Sequence, residues 1–301
     1  MQKPIIPAVP VASMIHDGRL AALRCFPIGR RPRKRAPYLP LDTRLKLHRA
    51  VEELRSRGLS YNQLQKHIFD TTGRQLSKAS VSYWVRGIHD PLGRVNAFTA
   101  TACPELAYVI GVASSDGNLN VHEHHREILL SVTDRDFAEE FSRCLAKVLS
   151  RAVPYKVRWS EKRKRWIVQG ASILLHRFLS HRWHELKPWI EHCNKCTARY
   201  LRAFFDGEGC ISHRQLTVSN TNVELLLYVG ELLRKYGVES RGPYLGKLAG
   251  TVLKDARTGK LYKRKKNCYY SYMSVRSLPQ FAEHIGFMIE RKQRRLRAVC
   301  T

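Results

Sequence analysis

Two nine-residue segments, Val109–Gly117 and Leu201–Gly209, lie 92 residues apart and share one pattern. Each is largely apolar, carries small residues four apart (Gly111 and Ser115; Ala203 and Gly207) and ends in an acid followed by glycine (Asp116-Gly117; Glu208-Gly209). Residues four apart share a helix face. Small residues there open a groove in which a second backbone can approach closely. Two such helices packed groove to groove bring their C-terminal ends together, each with one carboxylate, and each acid precedes a Gly suited to a left-handed turn. A second match supports a duplication: Leu130-Ser131-Val132-Thr133-Asp134 and Leu216-Thr217-Val218-Ser219-Asn220 lie 86 residues apart, each before an amphipathic stretch. The six-residue difference is assigned to a longer hairpin at Val121–Glu127 in the first copy. A period near 90 residues is a domain duplication, too long for a solenoid. The expected fold is therefore α+β: two copies of helix, strand pair, helix, strand pair, helix (αββαββα) related by pseudo-twofold symmetry, behind a small all-helical domain.

Charge narrows the partner. With 53 Lys+Arg against 25 Asp+Glu in 301 residues, the formal charge is +28. An apolar content of 44% is that of a folded chain rather than a disordered one. So basic a globular protein needs a polyanion, in practice nucleic acid, although charge alone leaves DNA or RNA, binding or cutting, open. No apolar run approaches the ~18 residues that span a bilayer. Pro4, Pro7 and Pro10 break the apolar Pro4–Ile15, which has only Lys3 ahead of it, so no signal peptide is read. Eight scattered cysteines do not form a disulfide framework. The expectation is an intracellular protein of the cytoplasm, the nucleoid or an organelle genome compartment.

Residues 1–40, with the run Arg30-Arg31-Pro32-Arg33-Lys34-Arg35, are expected to be a basic arm. Residues 41–87 read as three short helices. Leu45, Leu47, Val51 and Leu54 form a stripe ending at Gly58; Ser60-x-x-Gln63 has capping-box spacing ahead of Leu64 and Ile68; Ser77 caps a third helix with Val81, Trp84 and Val85 inward and a stop at Gly87. A tight turn before the last helix is the helix-turn-helix pattern, in which Lys78, Ser80, Ser82 and Tyr83 face bases and Arg86 grips phosphate. The plain alternative is a three-helix packing unit. Residues 88–104 serve as a linker, 105–196 as the first copy and 197–301 as the second.

Two carboxylates at converging helix C-termini repel each other and face two negative dipole ends. Clustered hard oxygens suit Mg²⁺, with a structural pair of raised pKa as the alternative. Basic strand pairs flank this centre: Lys156, Arg158 and Lys164 in the first copy, and Arg214 with Lys263-Arg264-Lys265-Lys266 in the second, where Gly259 marks a turn within a basic hairpin insertion. His192 with Cys193-x-x-Cys196 suggests zinc, but a structural site wants a second pair and the sequence offers none nearby.

The paired nonapeptides resemble the twin motifs of the LAGLIDADG homing endonucleases of the single-chain type, over about residues 105–298. The resemblance implies a divalent-metal-dependent DNA endonuclease that cuts both strands to leave short 3′ overhangs and serves intron homing. Asp116 and Glu208 would be its catalytic metal ligands, with Gly117 and Gly209 beside them at the metal site. Mg²⁺ is the expected ion, with Mn²⁺ as substitute. The two sheets would lie in the DNA major groove. Lys195 and Lys292 stand where family members place a catalytic lysine. Ser114 replaces an acid often found in the motif, whereas Asp206 keeps it. The expected partner is double-stranded DNA bound by a monomer, with intron RNA as a second candidate and no membrane. An RNA maturase and a DNA-binding regulator without cleavage are the alternatives.

Overall fold

A computed structural model describes residues 39–92, 98–122, 125–212, 215–255 and 259–300. Arg30–Arg35 of the expected arm and Arg214 of the expected DNA-binding set lie outside the described residues. Helices α1 (Leu41–Ser56), α2 (Tyr61–Thr72) and α3 (Lys78–Val85) come first. Local chemistry sets their ends. Gly58 takes φ +86 after α1, and Ser60 and Gln63 close a reciprocal capping box on α2. Gly73 ends α2 at φ +64, and the Ser77 hydroxyl accepts from Ser80 N to start α3. Leu47, Val51, Leu54, Leu64, Ile68, Leu76 and Val81 form a core of their own. Trp84 and Val85, expected inside, are half-buried against it.

The first copy follows as α4 (Pro104–Ala113), β1 (Gly117–His122), β2 (His125–Val132), α5 (Arg135–Val148), β3 (Arg158–Ser160), β4 (Arg165–Ala171), α6 (Ile173–Leu179) and a short α7 (Lys187–Ile190). The second is α8 (Asn194–Glu208), β5 (Gly209–Ser212), β6 (Gln215–Asn220), α9 (Val223–Arg234), β7 (Ser240–Lys247), the inserted pair β8 (Val252–Lys254) and β9 (Leu261–Lys263), then β10 (Cys268–Met273), α10 (Leu278–His284) and α11 (Glu290–Cys300). The expected boundary at 196/197 is corrected: α8 already starts at Asn194, because the Cys193 thiol accepts from Cys196 N and does the work of a Ser cap. Each copy builds one antiparallel four-stranded sheet, ordered β1-β2-β4-β3 and β5-β6-β10-β7. The helix and strand order and the two four-stranded antiparallel sheets agree with the expected duplicated αββαββα architecture, with β8 and β9 forming a separate two-stranded sheet.

The longer first hairpin is present. β1 and β2 pair from Gly117↔Leu130 to His122↔His125, whereas β5 and β6 pair from Gly209↔Val218 to Ser212↔Gln215. Two extra residues per arm account for four of the six. The rest is a slip: Leu130 faces Gly117, but Leu216 faces Ile211, two residues beyond Gly209. A slip of two keeps every side chain on its own face of the sheet, so Leu130 and Leu216 are both buried. One continuous core then joins the two copies through α4 and α8.

Candidate functional site

The seam between α4 and α8 places the site. A Cβ built on Gly111 would lie 2.5 Å from the carbonyl oxygen of Tyr200 and 2.8 Å from Cβ of Ala203. One built on Gly207 would lie 2.6 Å from Oγ of Ser115 and 3.4 Å from the Asp116 nitrogen. The small residues of each helix therefore meet their counterparts from the other copy: Gly111 against Ala203, Ser115 against Gly207. The next residues along are the acids, Asp116 and Glu208.

The two helix ends differ. In α4, Ser114 Oγ donates to Ile110 O (2.8 Å) and Ser115 Oγ to Gly111 O (3.0 Å), so the helix gives way to a turn and Asp116 sits in that turn. The counterpart of Ser114 is Asp206, which as a carboxylate cannot bond back to the helix, and α8 runs through to Glu208. The left-handed turn expected at each glycine is corrected. Gly209 is extended (φ −78, ψ 140) and Gly117 opens β1. Glycine serves close approach there: a Cβ would sit 2.7 Å from Val112 O at Gly117 and 2.5 Å from Phe205 O at Gly209.

Both acids are held above their usual pKa. Burial pushes Glu208 up to about 7, and the Asp116 charge beside it adds to the shift, against a hydrogen bond from Asn220 Nδ2 (3.0 Å). Asp116 reaches solvent at the open end of the seam. The protein behind it still raises its carboxyl, against the charges of Lys292 and Arg165. Two carboxylates raised by burial, one of them further by the charge of the other, with incomplete compensation by protein cations, form a hard-oxygen donor set that fits a small divalent cation.

The chain assembles a clasp around this end that sequence reading missed. Asp206, 2% exposed, accepts from Met288 N (3.0 Å) and Ile289 N (3.3 Å), and burial lifts its carboxyl to about 7. Asp134 pairs with Arg291 through two bonds, 2.5 and 2.8 Å, and Asp136 accepts from Glu290 N (2.6 Å). The start of α11 is thereby tied to both copies. The repeat match ending at Asp134 and Asn220 carried a signal for Asp134; nothing in it pointed to Arg291 at the start of α11 as the partner.

Of the two expected lysines, the structure brings only Lys292 to the acids. It is 6% exposed, and its Nζ donates to Phe205 O (3.2 Å) and Asp206 O (2.5 Å), placing a cation on the C-terminal carbonyls of α8. Burial lowers its pKa, and the charges of Asp206, Asp134 and Asp116 hold it up. Lys195 is corrected: it lies exposed in the first turn of α8, at the opposite end from Glu208 and about 20 Å away at 1.5 Å per residue. Lys292→Met is expected to destabilise the fold by about 2–3 kcal/mol, since it strands two carbonyls and a buried carboxyl. Lys195→Ala should stay within about 0.5 kcal/mol and leave activity unchanged. Urea melts of both variants check this.

The expected DNA contacts are spread over three elements. Lys78, Tyr83 and Arg86 are exposed on α3 and just after it, with the Arg86 guanidinium 5.6 Å from the Tyr83 ring, while Ser80 and Ser82 are half-buried and the Ser80 hydroxyl is shared with Ser77 (2.8 Å). Lys156 is exposed ahead of β3. Arg158 donates to Gln169 (2.7 Å), and Lys164 at the β3–β4 turn pairs with Glu161 (2.5 Å). Lys263 ends β9 and is followed by Arg264, half-buried, and by exposed Lys265 and Lys266; Gly259 takes φ +68 in that hairpin, as expected.

A family model described as a LAGLIDADG-like domain matches residues 195–244. The chain is 30% identical over 256 residues to the uncharacterized protein MJ0398 of Methanocaldococcus jannaschii, spanning 84% of this chain and 92% of that protein. Among solved structures, the homing endonuclease I-DmoI is similar at 17% identity over 60% of this chain and 94% of that one, with a TM-score of 0.43. Full-length DUF199/WhiA from Thermatoga maritima is similar at 15% identity over 68% and 62%, also with a TM-score of 0.43. The chain belongs to the LAGLIDADG family. Among the described residues, no helix is long and apolar enough to cross a membrane.

Proposed function

We propose that this protein is a site-specific, divalent-metal-dependent DNA endonuclease that makes a double-strand break with short 3′ overhangs, encoded within an intron whose homing it promotes. The observation that carries this reading is the meeting of one carboxylate from each copy, Asp116 and Glu208, at the end of the seam between the two central helices. Binding alone does not call for two mutually repelling acids at the centre of a chain of charge +28.

Asp116 and Glu208 would hold Mg²⁺, with Mn²⁺ as substitute, and Gly117 and Gly209 would let the backbone pass close beside it. The bound ion supplies Lewis-acid stabilisation of the charge that develops on the scissile phosphate. The residues around it position the acids. Asn220 orients Glu208, Lys292 fixes the end of α8, and the Asp134–Arg291 and Asp206 contacts tie the end of α8 and the start of α5 to the start of α11. One chain carries both halves of the pseudo-dimer, so a monomer suffices. The basic strand pairs would track the duplex, and α1–α3, as a helix-turn-helix module, would lengthen the recognised site.

Cutting a randomised-insert DNA library with Mg²⁺ or with EDTA, then sequencing the ends, tests the proposal. Metal-dependent cuts at one long motif with short 3′ overhangs are expected. Binding without cutting in every divalent ion would remove it in favour of a regulator or an RNA maturase. Replacing Lys263, Lys265 and Lys266 by Ala should weaken DNA binding and lower the slope of log affinity against log salt by about 1 per lost phosphate contact. Titrations at several salt concentrations measure that slope.

A further inference from the structure

At the other end of α8 the chain gathers a second set of donors, of different chemistry. His192, Cys193 and Cys196 each offer one ligand atom, and these atoms all lie within 4.8 Å of one another. The two thiol sulfurs are 3.4 Å apart. Tetrahedral Zn²⁺ with Zn–S bonds near 2.3 Å would place two thiolates ~3.8 Å apart, so a small outward adjustment admits the ion. The arrangement follows from helix geometry. Cys193 is the extended N-cap (φ −159, ψ 166) and Cys196 the third residue of the helix, so the two side chains converge just as a cap and its partner do. His192, next to Cys193 in the sequence, is close enough to serve as the third ligand in place of a second cysteine pair.

The surrounding backbone is already fixed. Thr197 Oγ1 donates to Ile190 O (3.0 Å), and Glu191 accepts from Tyr228 OH (3.0 Å) and Lys235 Nζ (2.5 Å). Tyr236 OH donates to Asn194 O (2.5 Å). The three donors are thus presented by a segment held on both sides, the preorganisation a metal site needs. The positive end of the α8 dipole favours the thiolate forms that bind metal.

We propose that His192, Cys193 and Cys196 form a site for a thiophilic divalent cation, with Zn²⁺ the natural occupant and water in the exposed fourth position. The ion would pin the exit of the first copy to the first turn of α8. The inference does not rest on the nuclease reading, since the site lies about 20 Å along the helix from Glu208 and takes a softer ion.

The full chain, stripped with a chelator and kept under a non-thiol reductant, would be titrated with Zn²⁺ alone against a chromophoric chelator, and with Co²⁺ by absorbance. One ion per chain is expected, with a thiolate-to-cobalt charge-transfer band and tetrahedral visible bands. Cys193→Ser and His192→Ala change exposed residues, and each should weaken binding at least tenfold; Cys196→Ser should abolish it. Asp116→Asn should bind Zn²⁺ as the wild type does, which separates this site from the carboxylate pair. Three outcomes would each overturn the proposal: no stoichiometric ion on the reduced chain, an ion that survives Cys193→Ser unweakened, or a Cys193–Cys196 disulfide that forms equally fast with and without Zn²⁺.

Discussion

Asp116→Asn is expected to abolish double-strand cleavage while leaving DNA affinity unchanged or raised. The substitution keeps the shape of the side chain and removes one anionic ligand from a site whose ion would stabilise transition-state charge by several kcal/mol. A loss of 3–4 kcal/mol is about 10³-fold in rate. If DNA lies across the seam as proposed, removing a negative charge there lessens the repulsion of its phosphates. Glu208→Gln should behave alike for cleavage, and the pair carries a pH signature. Glu208 sits at about 7, through burial and then through Asp116, and a carboxyl must be ionised to ligate. Wild-type cleavage should therefore rise with pH through about 7, and in Asp116→Asn the Glu208 titration should move down.

Stability has the opposite sign. A carboxyl whose folded pKa lies above its unfolded value destabilises the native state at pH above about 7, and the penalty fades as pH falls through that value. Without divalent cation, Glu208→Gln should melt above the wild type at pH 8, and the difference should shrink by pH 5.5. Gel assays with supercoiled and linear substrate measure the first effect, and calorimetry at the two pH values the second. Wild-type cleavage rates in Asp116→Asn would remove the metal assignment.

Gly111→Val is expected to destabilise the duplicated domain by about 3 kcal/mol or more. Its Cβ would meet a backbone oxygen, Tyr200 O at 2.5 Å, and Cβ of Ala203 at 2.8 Å. Neither can swing aside as a flexible side chain would, so the two central helices must separate. Separation also pulls Asp116 from Glu208, so residual folded protein should lose cleavage and show Glu208 titrating nearer its usual value. Gly58→Ala makes a suitable control. At φ +86 with open space around it, it should cost only about 1–2 kcal/mol of backbone strain and leave the acids in place. Urea unfolding of both variants separates a packing clash from local strain.

The sequence by itself determined what depends on near neighbours along the chain. The Ser60–Gln63 box, the Ser77 cap and the positive-φ glycines at 58, 73 and 87 are local backbone chemistry. The small-residue pairs are legible too, because spacing of four on a helix fixes a face regardless of what meets it. From them followed the duplication and the meeting of two acids. Tertiary structure alone decided what required long-range partners. It placed Lys292 on the end of α8 and Lys195 at the far end, although both looked equivalent in sequence. It made Gly117 and Gly209 answers to crowding rather than to left-handed turns. It gave Asp206, Asp134 and Asp136 to the start of α11, more than 80 residues away from each. Periodicity tells which face a residue occupies; only packing decides what stands opposite it, and charge, pKa and metal affinity are set by what stands opposite.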